Sequence, residues 1–277
     1  MPSTAAELAG SLPARDHGGR DHGGRDHGGR EPALRPPVFV ADGAQLRADR
    51  IVLSGPEGRH AATVRRLTAG QRADVTDGAG MLAECEVIRS GPGLLELAVL
   101  ARRTEPPPSP RIVVVQAIPK GDRGELAVEI MTEVGVDVIV PWAAERCVAR
   151  WRGDRGERSL ARWRATAREA AKQARRSRFP QVAALAETAG VAGLAAAASL
   201  AVLLDPGGPA GIGSLALPPD GDIVVVVGPE GGISPAEASS LTSAGARSAR
   251  LGCSVLRTSS AGAVAAALLL SASGRWA

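Results

Sequence analysis

The chain has 277 residues, with 33 basic and 29 acidic side chains and a formal net charge of +4. Hydrophobic residues make up 44% of it and charged residues 22%, which excludes a wholly disordered protein. The three cysteines are odd in number and far apart, which excludes a disulfide scaffold and predicts free thiols in a reducing compartment. No apolar run reaches the roughly 18 residues that span a bilayer, and no secretion signal is recognisable, so we expect a cytoplasmic protein.

The first 30 residues differ in composition from the rest of the chain. Arg15–Arg30 contains three copies of Asp-His-Gly-Gly-Arg and no apolar residue. Because such a repeat can bury nothing, we expect residues 1–30 to form a disordered tail. Three of the four histidines lie in it, and an inert repeat explains them better than a metal site does.

Residues 31–104 have the pattern of a small β domain. The strands that we expect are Pro36–Val40, Arg50–Leu53, Gly70–Thr76, Glu84–Arg89 and Leu94–Leu100. A helix is expected over Glu57–Leu67. Short strands separated by frequent turns suggest a barrel. Four prolines within residues 104–110 then predict a stiff, extended linker over residues 105–110.

Residues 111–277 alternate between strand and helix patterns. Expected strands are Ile112–Gln116, Val136–Val140, Leu200–Leu204 and Ile223–Val227, and expected helices are Glu125–Val134, Ser159–Arg178, Pro235–Ser243 and Ala261–Ser271. This alternation predicts an α/β domain with a parallel sheet and a ligand site at the carboxyl ends of the strands.

Basic residues are concentrated between Arg146 and Arg178, where twelve of them face only three acidic residues. Concentrated positive charge favours binding to a nucleic-acid backbone, because each neutralised phosphate releases counterions. The alternative is a solvated helix face in an arginine-rich protein.

A glycine-rich loop follows the apolar strand Ile223–Val227. Its sequence is Gly-Pro-Glu-Gly-Gly at residues 228–232, and Ser234 and Glu237 then form a capping box that begins a helix. Glycines let backbone approach a ligand closely. The loop matches neither common nucleotide-binding signature, and a plain structural turn is the alternative.

A second polar segment, Leu251–Ala261, precedes the last helix. Arg257 within it could hold a phosphate or an anionic base, whereas residues 258–260 could simply cap the helix. No metal site and no nucleophilic site is expected: His60 is the only histidine beyond the tail, and Cys253 is expected to be a small buried residue. Methyl transfer from a sulfonium donor suits such a site, because its leaving group is already activated.

These segments, in this order, resemble a known family. The residues that carry the resemblance are Val227–Glu237, Leu251–Thr258, Glu125–Pro141, Glu145-Arg146, Glu169–Gln173 with Arg175-Arg176, and, nearer the N-terminus, His60 with Val64–Arg66 and Ala69-Gly70. They resemble the SPOUT class of methyltransferases and, within it, the ribosomal RNA small subunit methyltransferase E family. The resemblance covers about residues 34–275.

The resemblance implies a trefoil-knotted parallel-sheet domain at residues 111–277, a PUA-like RNA-binding β-barrel at residues 31–104, and a homodimer. It further implies S-adenosylmethionine as cofactor and methylation of N3 of a uridine in small-subunit (16S) ribosomal RNA, free or within the assembled subunit. Carried over to this chain, the cofactor-binding residues are Leu203, Gly228, Pro229, Glu230, Gly231, Gly232, Leu251, Gly252, Leu256 and Thr258.

Arg257 is the expected catalytic residue, because a fixed positive charge can stabilise a developing uracil anion. The family often has a glutamate where this chain has Ser259, so no general base is assigned. Expected RNA-binding residues are His60, Arg65, Arg66, Arg146, Arg162, Arg168, Lys172, Arg175 and Arg176. Two alternatives remain: a SPOUT enzyme that methylates ribose 2′-oxygen or another base, and a non-catalytic RNA-binding protein of ribosome assembly.

Overall fold

The computed structural model describes residues 36–276, and the expected disordered tail lies outside them. The first part of the described chain is rich in β-structure. Its elements in chain order are β1 (Val38–Val40), α1 (Gly43–Arg47), β2 (Arg50–Leu53), α2 (Gly55–Arg59), β3 (Arg72–Thr76), β4 (Met81–Gly91) and β5 (Leu94–Thr104).

These strands form one five-stranded sheet in the order β1-β3-β4-β5-β2. All its pairs are antiparallel except β1 with β3. The long hairpin of β4 and β5 forms the centre of the sheet, β3 and β2 flank it, and β1 pairs with β3 at one edge. The core beneath the sheet contains Phe39, Leu46, Ile51 and Leu97, all at most 1% exposed.

The helix expected over Glu57–Leu67 is shorter and less regular than the sequence pattern predicts. After α2 the chain widens into one π-helical turn at His60–Val64, where the Arg65 amide donates to the carbonyl of His60. Arg66 then takes a left-handed conformation with φ of 52° and ends the helical path. A non-glycine residue rarely adopts that conformation, and sequence periodicity does not report it.

The second part of the described chain alternates strands and helices. Its elements are β6 (Arg111–Ala117), α3 (Arg123–Val134), β7 (Val138–Trp142), α4 (Gly153–Gln173), β8 (Gln181–Val182), α5 (Thr188–Ala197), β9 (Leu200–Leu204), β10 (Ala210–Gly211), β11 (Asp222–Val227), α6 (Pro235–Ser243), β12 (Arg247–Arg250) and α7 (Thr258–Ala272). Across residues 36–276, no helix combines the length and apolarity needed to cross a bilayer.

The strands from β6 onward form a seven-stranded, wholly parallel sheet in the order β10-β12-β9-β11-β6-β7-β8. Central strand β11 shows why its apolar run is unbroken. Ile223, Val225 and Val227 belong to the core on one face of the sheet, and Val224 and Val226 to the core on the other. A central parallel strand is covered on both faces, so every position in it is apolar.

Several boundaries differ from the sequence-based expectations. Helix α4 begins six residues before the expected Ser159 and ends at Gln173, because Arg175 adopts a left-handed φ of 57° that stops the helix. Helix α7 begins three residues earlier than expected, directly after Arg257. The sequence patterns did not predict the helices α1 and α5 or the strands β8 and β10. They are short or lack a clear hydrophobic period.

The end of α4 and the segment after it contact the first sheet. The Ser177 carbonyl accepts hydrogen bonds from the Thr76 hydroxyl, at 2.9 Å, and from the Gly80 amide, at 3.0 Å. The Phe179 ring lies against Gly78, where a Cβ atom would come within 3.0 Å of it. These contacts pack the β-rich part directly against the α/β part of the chain.

Candidate functional site

Two loops meet at the carboxyl edge of the parallel sheet. The first, residues 228–234, follows β11. Its capping box is formed as the sequence predicts: the Ser234 hydroxyl accepts from the Glu237 amide, and the Glu237 carboxylate accepts from the Ser234 amide. The second loop, residues 251–257, joins β12 to α7. Parallel strands end at the same edge of a sheet, and only β9 separates β11 from β12, so the two loops lie close together.

Between these loops lies a cavity of about 740 Å³, within the range of roughly 300–1,000 Å³ that small-molecule sites occupy. Nearly all the residues assigned to the cofactor by resemblance line it, namely Leu203, Gly228, Pro229, Glu230, Gly232, Leu251, Gly252, Leu256 and Thr258, and so does Arg257. Gly231 does not line it. It faces away, and a Cβ atom there would lie 3.1 Å from Cβ of Arg146.

The cavity combines apolar walls with a few charges. Its apolar lining includes Leu203, Val227, Leu251 and Leu256. The charged residues that line it are Arg123, Asp205, Glu230 and Arg257. Such a surface suits a ligand with a flat apolar part and separate charged groups.

Arg123 and Asp205 were missed by the sequence reading. Arg123 is the first residue of α3, a few positions after β6, and Asp205 directly follows β9. Their place in the sequence could have identified them, because residues that directly follow parallel strands lie at the edge of the sheet where ligands bind. The Asp205 carboxylate accepts from the Gly207 amide at 2.9 Å and from the Ser248 hydroxyl at 3.1 Å, which holds it at the rim.

The loop after β6 supports the glycine loop from one side. The Lys120 amide donates to the Glu230 carboxylate at 3.3 Å, which connects this loop to the glycine loop. From another side, Arg146 donates to the Gly231 carbonyl at 3.3 Å. The glycine loop is therefore held by backbone and side-chain contacts from two other segments.

Arg257 is exposed and directly precedes α7 in an extended conformation. Within residues 36–276 its guanidinium makes no hydrogen bond or ion pair, so its charge is available to a ligand in the cavity. The neighbouring Cys253 is exposed, which shows that the expectation of a buried residue was wrong. Only Leu251 of this loop packs against the core, and residues 252–257 are exposed.

The nine residues expected to bind RNA occupy different environments. Arg65, Arg66, Arg146, Arg162 and Arg168 are exposed. Arg162 and Arg168 also form surface ion pairs with Glu125 and Glu57. His60 is partly buried and packs edge-on against the ring of Phe39.

The other three, Lys172, Arg175 and Arg176, make internal contacts. Lys172 is 6% exposed and donates to Glu57 at 3.0 Å. Arg175 donates to the Pro36 carbonyl at 2.7 Å. Arg176 donates to the carbonyls of Thr132 and Val136, and burial lowers the pKa of its guanidinium.

This corrects the expectation that the whole set grips phosphates. Lys172 and Arg176 are engaged inside the protein, because buried charges require partners. The expected residues that remain exposed are Arg162 and Arg168 on α4, Arg146 before it, and Arg65 and Arg66 in the β-rich part. Among the described residues, no group of three or more histidine, cysteine, aspartate or glutamate side chains is placed to hold a metal ion.

Comparison with known proteins agrees with this architecture. Residues 106–270 match the family model of the RNA methyltransferase domain, and residues 53–100 match the RNA methyltransferase PUA domain. The family models, together with the cavity at the sheet edge, thus define an RNA methyltransferase with a PUA domain.

A named relative places the chain more finely. The ribosomal RNA small subunit methyltransferase E of Mycobacterium tuberculosis is 45% identical over 229 residues, which cover 81% of this chain and 87% of that protein. The chain belongs to the ribosomal RNA small subunit methyltransferase E family.

Solved structures agree in fold. The family member from Neisseria gonorrhoeae, bound to S-adenosyl methionine, is 25% identical with a TM-score of 0.75 and covers 85% of this chain and 97% of that one. A methyltransferase from Legionella pneumophila, in complex with the same cofactor, is 24% identical with a TM-score of 0.77 and covers 86% and 98%. At that identity the second comparison supports the fold alone.

Proposed function

We propose that this protein transfers a methyl group from S-adenosylmethionine to N3 of a uridine in small-subunit ribosomal RNA, in the cytoplasm. The observation that carries the proposal is the cavity between the two sheet-edge loops, which collects nine of the ten residues expected to bind the cofactor together with Arg257. Family membership supports the substrate class, since the relatives are named for small-subunit ribosomal RNA.

The cavity fits the chemistry of the cofactor. Its apolar side, with Leu203 and Leu251, suits the face of an adenine ring, and glycine backbone supplies hydrogen-bonding groups without side chains in the way. Glu230 and Asp205 supply negative charge for the cationic sulfonium and ammonium groups. When bound, S-adenosylmethionine supplies an activated methyl group, and no metal is required for its transfer.

Arg257 is the residue that we assign to the uracil. N3 of uracil carries a proton, which must leave before or during attack on the methyl carbon. The negative charge that develops on the ring is then stabilised by the nearby guanidinium. Ser259 stands where the family often has a glutamate, and it is buried, so we assign the proton to no side chain. Holding both reactants in line supplies much of the rate.

The exposed arginines of α4, which include Arg162 and Arg168, are proposed to bind the RNA backbone. Arg146 lies beside the glycine loop, where it contacts the Gly231 carbonyl. Arg65 and Arg66 extend the positive surface onto the β-rich part. Phosphate contacts of this kind position RNA without reading its sequence, so binding should weaken steeply with salt.

We also propose a homodimer with a knotted subunit. The outer face of α7 presents Val264 and Leu268, and the loop before it presents Val255, 77% exposed. An apolar stripe of this kind beside the cavity suits a second copy of the chain. The return of α7 across the sheet, where it packs on β6 and β11, supports the knotted path.

Calorimetry with S-adenosylmethionine tests the cofactor site. A Cβ atom at Gly252 meets nothing within 4 Å, so Gly252→Trp places a large side chain at the cavity without a clash inside the protein. We expect binding in the wild type and its loss in this variant. Gly193→Trp on the exposed face of α5, which also has open space, is the matched control and should bind normally.

The reaction product is tested separately. Unmodified small ribosomal subunits and free 16S RNA are incubated with the protein and cofactor, and the nucleosides are then separated and analysed by mass spectrometry. N3-methyluridine is the expected product. A 2′-O-methylated nucleoside would replace the proposal by another methyltransferase activity, and binding of RNA without any methylation would replace it by a binding protein.

A further inference from the structure

Gln116 is a fully buried polar residue near the end of β6. Its side-chain amide donates to two carbonyls, those of Ala117 at 3.0 Å and of Thr258 at 3.2 Å. Its Oε1 atom is buried and accepts no hydrogen bond from any residue in 36–276. A buried acceptor without a partner lowers the stability of a protein, and one in a native structure calls for an explanation.

The partner of Gln116 belongs to the wall of the cavity. Thr258 lines the cavity and begins α7, and its hydroxyl donates to the Gly228 carbonyl at 3.1 Å. A chain of hydrogen bonds therefore runs from the centre of the sheet, through the first turn of α7, to the start of the glycine loop. Arg257 lies immediately before Thr258 in this arrangement.

Helix α7 approaches Gln116 closely because a glycine faces it. A Cβ atom at Gly262 would lie 3.3 Å from Oε1 of Gln116 and 3.0 Å from both Val114 and Met131. The close packing makes the direction of α7 sensitive to the side chain at position 116. The Arg257 end of that helix is the end that borders the cavity.

We propose that Gln116 is a positioning residue, which holds the first turn of α7 against the glycine loop and so keeps the cofactor cavity in its binding geometry. This inference rests on the proposed function. It explains why an amide is present where packing alone favours an apolar side chain. A methionine has a similar volume and removes the unpaired Oε1 acceptor, but it also removes the donor to the carbonyls of Ala117 and Thr258. These two effects on stability oppose each other, so stability by itself selects glutamine only weakly here.

The test compares two variants of the full-length protein. In Gln116→Met the amide is lost and the volume is nearly kept. The control Thr132→Val removes the hydroxyl of a residue that is as buried as Gln116. Thr132 lies on α3, donates to the Val128 carbonyl and does not line the cavity. For each we measure the thermal midpoint, the Kd for S-adenosylmethionine, and kcat and KM.

We expect Gln116→Met to raise the Kd and the cofactor KM roughly 3- to 10-fold, the effect of losing the hydrogen bond to Thr258, with kcat changed far less. Its thermal midpoint should stay close to that of the wild type, because removal of the unpaired acceptor offsets the lost hydrogen bonds. Thr132→Val should lower the midpoint and leave the Kd unchanged. A Kd in Gln116→Met equal to that of the wild type would overturn the proposal, as would a lowered midpoint with the same Kd change in both variants.

Hydrogen exchange of the cofactor-free protein gives a readout that does not depend on the proposed function. The amides of Ser260 and Ala261 donate to the Arg257 carbonyl in the first turn of α7. They should exchange faster in Gln116→Met than in the wild type, and unchanged exchange rates would refute the positioning role. A wild-type protein that binds no cofactor would overturn the proposed function, and exchange alone would then decide the role of Gln116.

Discussion

Lys172 Nζ lies 3.0 Å from Oε1 of Glu57, and this ion pair connects α4 to the helix α2 of the β-rich part. The lysine side chain is 5% exposed and the glutamate 18%. Glu57 also accepts from the Val40 amide, so its carboxylate joins three segments. The pair is therefore part of the contact that fixes the β-rich part beside the methyltransferase domain.

Replacement of Lys172 should lower the stability of the protein more than replacement of Arg168, the more exposed partner of the same glutamate. Lys172→Met leaves the half-buried Glu57 without its nearest cation, and we expect the free energy of unfolding to fall by about 3 kcal/mol. Arg168→Ala removes a more exposed partner of the same glutamate, at 3.7 Å, and should cost about 0–1 kcal/mol. Urea unfolding at neutral pH measures both. Equal losses in the two variants would contradict the structural role of Lys172.

Two glycines in helices should respond to alanine in opposite directions. At Gly262 a Cβ atom would press on Val114 and Met131 at 3.0 Å, so Gly262→Ala should destabilise the protein by about 1–3 kcal/mol. At Gly193 nothing lies within 4 Å, and alanine is the better helix former, so Gly193→Ala should stabilise it by about 0.5–1 kcal/mol. Thermal unfolding distinguishes the signs. If both substitutions stabilised the protein, the close packing of α7 against Val114 and Met131 would not require a glycine at position 262.

A pair of like charges predicts a dependence of stability on pH. Asp74 stands directly opposite Glu84 between β3 and β4. Burial first, and the Glu84 charge second, raise the pKa of Asp74 above 3.8. The folded state thus holds this proton more tightly than the unfolded chain does. Ionised Asp74 therefore lowers stability at neutral pH, and this penalty disappears as the pH falls through the raised pKa and then below 3.8.

Asp74→Asn should accordingly raise the free energy of unfolding by about 0.5–1 kcal/mol near pH 7. The gain should shrink towards zero near pH 3.5. Glu86→Gln is the matched control, because Glu86 faces the opposite charge of Arg72 in the same pair of strands, so its loss should bring no gain. Chemical unfolding across this pH range measures both variants. A gain from Asp74→Asn that does not vary with pH would contradict the assignment.

The three thiols should differ in reactivity. Burial raises the pKa of Cys85 to about 12 and also raises the pKa of Cys147, whereas Cys253 is exposed in the loop beside the cavity. Iodoacetamide should therefore label one thiol in the native protein and all three in urea. Mass spectrometry should locate the native label at Cys253, and S-adenosylmethionine should slow it. If native Cys253→Ser were still labelled, Cys253 would not be the reactive thiol.

Parts of the fold with a strong local cause were predictable. Strand β9, helix α6 and the core of β11 follow their sequence patterns closely, because an unbroken apolar run and a capping box act over a few residues. Helix α5 was missed because its alanine- and glycine-rich residues show no hydrophobic period. The helix predicted over Glu57–Leu67 was too long, because the π-helical turn and the left-handed conformation of Arg66 depend on the surrounding packing.

The sequence by itself determined the two-part organisation that the family models match, the glycine loop, and the concentration of arginine near α4. Only the tertiary structure decided which basic residues remain available. Lys172 and Arg176 turn inward because Glu57 and Asp137, distant in sequence, meet them there. In the same way, Arg123 and Asp205 reach the cavity, and Gln116 reaches Thr258, across 142 residues of chain. A local sequence pattern predicts the secondary structure in which a residue lies. The contacts of that residue depend on which distant segments the fold brings next to it.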